Sequence, residues 1–413
     1  MKAILFTGLL CSFFLAGFAQ DDPYEIVKYD FIRYDTNRID FFDDSVAYCN
    51  LFNAFSKLIL KGEGQINVLH IGDSHLQADY FSGRMRQRLQ TFFQGGLGGR
   101  GFVFPYRVAL TNNPFNLRTD YSGEWESCKN IEKNKQCDLG LSGISVTTYE
   151  SGASISIYLR EKDYLKYDYN RVKIFHNIDS TSFSIEIRNS LSKSTFINND
   201  TLGYTIFSFD RYLDDTLTLR FIRTDSLQQK FTLHGLSFET DDPGVIYHTI
   251  GVNGADVDSY LRCNLFSEHL LALAPDWVII SLGTNDAYMK SIDTTATESD
   301  FDRLITRIQG TMPGIPILLT TPGDSYRYRR YLNENIPKVR GIIYRQAEKH
   351  NCAVWDFFSV MGGLNSVTLW YRSGLTAKDK LHLNGKGYIL QGDLMFNAFL
   401  KAYDDFIDKE LKN

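Results

Sequence analysis

Hydrophobic positions change their period along the chain, and the changes mark out three zones. After a polar, aromatic start, Ser45 to Leu60 places Val46, Cys49, Leu51, Phe52, Phe55, Leu58 and Ile59 at spacings close to one helical turn. A continuous apolar run, Ile66 to Ile71, then reads as a buried strand, with a turn at Gly72-Asp73-Ser74-His75. A helix over Tyr80 to Phe93 follows, with Phe81, Met85, Leu89 and Phe92 on one face. The same strand, turn and helix order resumes far downstream. Val245–Ile250, Trp277–Leu282, Ile315–Thr320 and Ala353–Phe357 read as strands, with helices over Ser259–Ala272, Ser299–Gln309 and Asn333–His350. Five short apolar strands alternating with helices predict a parallel sheet covered on both faces.

Between Arg107 and Thr240 the period is two. Ser145–Tyr149, Ser154–Leu159, Val172–Phe175, Phe183–Arg188, Leu217–Ile222 and Phe231–Leu236 alternate as strands do. Such a run predicts an all-β sandwich or jelly roll inserted into a loop of the α/β unit.

Lys2 precedes the apolar run Ala3–Ala19, which ends in small residues before Gln20; this is the pattern of a cleaved export signal over residues 1–19. No other stretch approaches the length of a membrane span, so none is expected once the signal is removed. Export changes the reading of the cysteines. Cys128 and Cys137 lie close together in a polar stretch and suit a local disulfide, while Cys49, Cys263 and Cys352 sit among apolar residues and read as buried thiols. A length of 413 residues suggests about two domains, and 43% apolar with 23% charged residues rules out a wholly disordered chain. A net charge of −5 argues against nucleic acid as a partner.

Three turns at the carboxyl ends of expected strands, or beside the last helix, carry candidate chemistry. Ser74 follows the first strand and opens a helix, where a hydroxyl can serve as a nucleophile or simply as a cap. Asn285, in Gly283-Thr-Asn285-Asp286, offers an amide to a developing oxyanion, or closes a turn. Asp379 stands three residues before His382, close enough to hold one imidazole nitrogen and leave the other as a general base. Taken singly, each residue has the blander reading as its commoner one.

Together, Gly72-Asp73-Ser74, Gly251-Val-Asn-Gly254, Gly283-Thr-Asn285-Asp and Asp379-x-x-His382 resemble, in order, the motifs of the SGNH (GDSL-like) hydrolase family. The resemblance implies a flavodoxin-like three-layer catalytic domain in two parts, 65–106 and 242–413. A lead segment, 20–64, packs on it, and 107–241 is the inserted β-sandwich. It also implies Ser74 as nucleophile, His382 as base and Asp379 as its orienting carboxylate. The oxyanion donors would be the Ser74 and Gly254 amides and the Asn285 side chain, with Gly251 a competitor for the place of Gly254. His75 after the serine departs from the Leu or Ile common in the larger family. That departure, Gly98-Gly-Arg-Gly-Phe102 and the place of the insert look like the peptidoglycan O-acetylesterases, whose insert resembles a carbohydrate-binding module.

The expected activity is therefore an exported serine esterase, in the periplasm, the envelope or the medium, that removes O-acetyl groups from a glycan with no cofactor or metal. Other acyl chemistry on the same fold (lipase, thioesterase or sugar O-acetyltransferase) and a non-catalytic glycan binder are the competing readings. Tyr106, Trp125, Tyr326, Trp370 and Tyr371 are candidates for stacking on sugar rings. Gly96-Leu-Gly98-Gly-Arg-Gly101 matches a dinucleotide fingerprint but follows a helix, so no such site is expected. His75 lies too near Ser74 along the backbone to serve as its base. The histidines show no zinc spacing. The sequence is silent on oligomeric state.

Overall fold

The computed structural model describes residues 26–42, 46–160, 165–188 and 192–412; the expected signal, 1–19, lies outside them. The apolar runs form the centre of a mixed sheet. Ala353–Trp355, Ile317–Thr320, Trp277–Ser281, Gln65–Gly72 and Gly244–Gly251 lie side by side in that order, all parallel. Numbered along the chain, this is the flavodoxin-like order 2-1-3-4-5. Alternate residues of one strand feed two cores. Leu69, Ile71, Val278 and Ile280 point to one face, and Ile66, Val68, Trp277 and Ile279 to the other. Being buried on both faces is what makes these segments read as continuous apolar runs.

Helices Val46–Lys61, Phe81–Thr91 and Gly385–Glu410 cover one face, and Phe266–Leu273, Thr294–Thr311 and Ile336–His350 the other. The high aromatic content is concentrated in the first layer. There Phe52, Phe55, Phe92 and Tyr403 pack around Phe399, which also stacks on Trp277 with ring centres 5.5 Å apart. Such pairs add to the apolar area they bury.

Several elements differ from the sequence expectation. The glycine-rich segment around Gly98 is a strand, Leu97–Val103, and adds a sixth parallel member outside Gly244–Gly251. It lacks the β-branched alternation that would have marked it. The helix expected over 259–272 is two helices, Val257–Leu261 and Phe266–Leu273, the first opened by a capping box between Asp256 and Ser259. Cys49 faces solvent rather than the core, whereas Cys263 and Cys352 are buried thiols, and Cys128 and Cys137 are joined as a disulfide.

The alternating zone builds two antiparallel sheets. One orders Leu117–Ser122, Ser154–Leu159, Leu217–Ile222 and Ser184–Ile187. The other runs from Phe231–Glu239 through Tyr169–His176 and Tyr204–Leu213 to Ser194–Asn199, with Ile144–Thr148 on Phe231–Glu239 and Glu126–Lys129 beyond it. This second sheet is continuous with the parallel one, because Phe231–Glu239 pairs antiparallel with Leu97–Val103.

A buried ion cluster lies beside this junction and takes one amide, that of Asn116, from the insert. Asp79, with φ of 58°, accepts from Arg86 and Arg100 at 2.7 Å each, from Asn116 at 2.8 Å and from Ser82 at 2.7 Å. Burial pushes its carboxyl up, but the two guanidinium groups outweigh this and hold it well below the usual carboxylate range. Removing one partner of such a set strands the others without water or counter-charge. Asp79→Ala should therefore lower unfolding free energy by about 3–5 kcal/mol in denaturant titration. Because the folded pKa is depressed, the contribution is present above the unfolded value near pH 4 and is lost as pH falls below it. Asp79→Asn should flatten that acid slope of stability.

Candidate active site

Strand Gln65–Gly72 has neighbours on both sides whose connections leave in opposite directions, so its carboxyl end opens the crevice where α/β sheets place ligands. The next residues occupy that crevice. Asp73 caps the short helix Ser74–Gln77 by accepting from the His75 amide at 2.9 Å, which sets Ser74 at the first helical position, half-buried. Gly251 closes the second strand. A Cβ there would lie 2.5 Å from the Gln77 nitrogen, so only glycine lets strand and helix approach this closely.

His382 arrives from the far end of the sequence. Asp379 Oδ1 accepts from the Leu381 and His382 amides at 2.9 and 3.0 Å, folding the loop into one tight turn. Asn384 then caps helix Gly385–Glu410 through the Gly387 amide. The turn leaves Asp379 Oδ2 2.8 Å from His382 Nδ1, and His382 Nε2 3.0 Å from Ser74 Oγ. Burial works to raise the Asp379 carboxyl, but the bond to His382 and the two amides prevail and hold it below its ordinary value. A carboxylate anchored in this way fixes which imidazole nitrogen carries the proton. Ser74, His382 and Asp379, separated by up to 308 residues, thus form one hydrogen-bonded line.

The other expected residues surround it. Gly254 is exposed, with φ of 82° and open space where a Cβ would stand; among the described residues no protein acceptor takes its amide. Its loop is held by Gln77, whose Oε1 accepts from the Asn253 amide at 2.8 Å, and by Asn253 donating to Asn112. These contacts favour Gly254 over the buried, packed Gly251 as the open amide. Asn285 also lies in the site, but both of its Nδ2 protons are engaged, by Asp73 Oδ2 at 3.1 Å and by the Ala255 carbonyl at 2.9 Å. Donation to an oxyanion would mean sharing one of them. Burial pushes the Asp73 carboxyl up to about 7, against the opposing pull of the His75 amide, His382 and Thr284.

His75 does not contact Ser74 through a hydrogen bond. Its Nδ1 meets the Tyr388 hydroxyl at 2.9 Å, and its ring lies 5.1 Å from that of His382. Burial and the neighbouring His382 lower its pKa to about 3, so it is neutral beside the His382 imidazole. This pairing was not readable from sequence. Nor were Tyr106 and Tyr260, whose hydroxyls donate to the Gly251 and Gly72 carbonyls and pin the two strand ends.

Of the aromatic candidates, Tyr106 and Trp370 are buried, the latter bonded to the Met361 carbonyl, and neither can face a sugar. Trp125 is half-buried against Phe221, Tyr326 borders the Asp379 loop, and Tyr371 is exposed. Among the described residues no three His, Cys, Asp or Glu side chains are grouped to hold a metal ion, and no helix is long and apolar enough to cross a membrane.

Comparison with known proteins agrees with this geometry. Residues 224–390 match the GDSL-like Lipase/Acylhydrolase family, a segment that contains Gly254, Asn285, Asp379 and His382, begins before strand Phe231–Glu239 and does not include Ser74. A solved peptidoglycan O-acetylesterase is 22% identical and aligns over 91% of this chain and 99% of its own, with a TM-score of 0.68. A lipase/acylhydrolase from Enterococcus faecalis (22% identity, 38% of this chain and 75% of that one, TM-score 0.30) and an acetyl xylan esterase (24%, 38% and 82%, 0.31) align over shorter spans. No curated protein matches the sequence. The parallel strand order, the family match over residues 224–390 and a likeness in fold that reaches across the inserted strands make this chain similar to the GDSL-like (SGNH) hydrolases, whose fold it shares.

Proposed function

We propose that the protein is an exported serine esterase that removes O-acetyl groups from a cell-envelope glycan, most simply peptidoglycan. The observation that carries this reading is the unbroken line from Ser74 Oγ through His382 to Asp379. We assign residues 65–106 and 242–413 to the catalytic domain, 20–64 to a lead segment and 107–241 to an inserted sandwich of carbohydrate-binding-module type. The substrate is supported by a solved structure whose likeness covers both parts, itself a peptidoglycan O-acetylesterase.

The chemistry runs in two steps. Ser74 Oγ attacks the acetyl carbonyl while His382 Nε2 takes its proton. Asp379 stabilises the imidazolium without accepting the proton itself. The carbonyl oxygen, now negative, is met by the Ser74 and Gly254 amides and by an Asn285 proton released from Asp73 or Ala255. The carbon–oxygen bond to the sugar breaks as His382 returns the proton to the sugar oxygen, leaving acetyl-Ser74. Water, deprotonated by His382, then attacks the acetyl group and frees acetate and Ser74.

Acetate release from O-acetylated peptidoglycan should fall by at least about a thousandfold in Ser74→Ala, with the protein still folded by circular dichroism. Equal rates in the two proteins would remove Ser74 from the chemistry. Asp379→Asn should lose about two to four orders of magnitude in kcat with little change in KM, since it alters the base and not the bound sugar. A loss confined to KM would instead place Asp379 in substrate binding.

A further inference from the structure

The chain is acidic overall, yet one edge of the site is strongly basic and aromatic. Tyr326-Arg-Tyr-Arg-Arg-Tyr-Leu332 forms a hairpin, with Tyr326 opposite Leu332 and Arg327 opposite Tyr331. Its base is fixed to both catalytic loops. On one side the Tyr326 amide donates to the Lys380 carbonyl at 2.8 Å, one residue from Asp379, and the Lys380 ammonium sits 4.7 Å from the centre of the Tyr326 ring. On the other side Arg327 donates to the Met289 carbonyl at 2.8 Å, and the Tyr328 amide meets the Tyr288 hydroxyl at 3.1 Å; both partners lie just after Asn285. The hairpin therefore bridges the loop of the expected oxyanion donor and the loop of the catalytic base.

Its tip is unusual in two independent ways. Tyr328 and Arg329 both have positive φ, 52° and 63°, a turn that normally selects Gly or Asn. The side chains kept there at that cost, Tyr328, Arg329, Arg330 and Tyr331, are all exposed. Among the described residues neither Arg329 nor Arg330 has an acidic partner within ion-pair distance. Lys290 and Lys378 add exposed positive charge on the two loops that the hairpin joins, against Glu334 at its foot and Asp379 within the site.

We propose that this hairpin is a recognition site for carboxylate groups borne by the glycan substrate. The inference rests on the esterase reading and narrows its substrate to an acidic glycan. A planar guanidinium matches a carboxylate through two parallel hydrogen bonds. The exposed tyrosine faces between the arginines suit sugar rings. Because an acetyl group is small, binding energy must come from the sugar side, and an anionic flank held at the hairpin would orient the ester against Ser74.

The test is the double variant Arg329→Asn/Arg330→Gln in the full chain. Asn suits φ of 63°, so the turn should hold or gain stability in thermal unfolding, which a purely structural role for Arg329 would not give. The ratio of kcat/KM on O-acetylated peptidoglycan fragments to that on neutral acetylated xylan should fall by about tenfold or more, mostly through KM, and lose its sensitivity to salt. An unchanged ratio, or equal loss on both substrates, would overturn the proposal. A second arm needs no turnover. In a Ser74→Ala background, amidating the fragment's carboxylates should weaken its calorimetric binding about tenfold, and the hairpin variant should show no such difference. Equal effects of amidation with and without the arginines would also overturn it. Failure of the esterase reading would show separately, as no acetate released by wild type from any ester, and the binding arm would still decide the hairpin's role.

Discussion

The structure depends on one topological constraint: strand Gln65–Gly72 sits where the parallel sheet changes direction. Its carboxyl end opens the crevice from which the connections of its two neighbours diverge. A turn there is open to solvent above and backed by packed strands below. Ser74 inherits its position from this constraint, as does Asn285 at the end of the adjoining strand Trp277–Ser281. The tyrosine hydroxyls that hold the Gly72 and Gly251 carbonyls, and the close contact of Gly251 with the Ser74–Gln77 helix, keep the crevice from relaxing.

Within that frame, the site trades stability for placement. Asp73 is buried without a full counter-charge, and that burial pushes its pKa up. In return it caps the Ser74 helix with one oxygen and holds Asn285 with the other. The neutral His75 ring beside His382 places no second charge near the imidazole that the proposed mechanism makes cationic. Nearby, the Asp79 cluster spends its buried charges differently, joining the helix after Ser74 to strand Leu97–Val103 and to Asn116. The insert is thus tied to the parallel unit by the Asn116 amide on this cluster as well as by the shared ladder.

How much of this was legible in sequence follows from range. The five buried strands announce themselves because both faces are apolar, and the helices because one face is. The turns at Ser74, Asn285 and Asp379–His382 are legible because each chemistry needs a short local motif. Strand Leu97–Val103 was not, since glycines erase the alternation that marks a strand. Ser194–Asn199 was missed because as an outer strand it is mostly exposed and carries no buried face. Tyr106 and Trp370, candidates for sugar stacking beside the commoner reading as core, proved to be core, and burial of a single ring is decided by residues far along the chain. His75 meets Tyr388 across 313 residues, and Asn285 meets Asp73 across 212; no window of sequence contains such pairs.

The central claim is that acetyl passes through Ser74. Mass spectrometry of the enzyme, acid-quenched during turnover of O-acetylated peptidoglycan and then digested, tests it directly. The account predicts a single acetyl group on the peptide containing Ser74, present only while substrate lasts and absent from Ser74→Ala. Steady acetate release with that peptide unmodified, or an acetyl group carried by another residue, would contradict it.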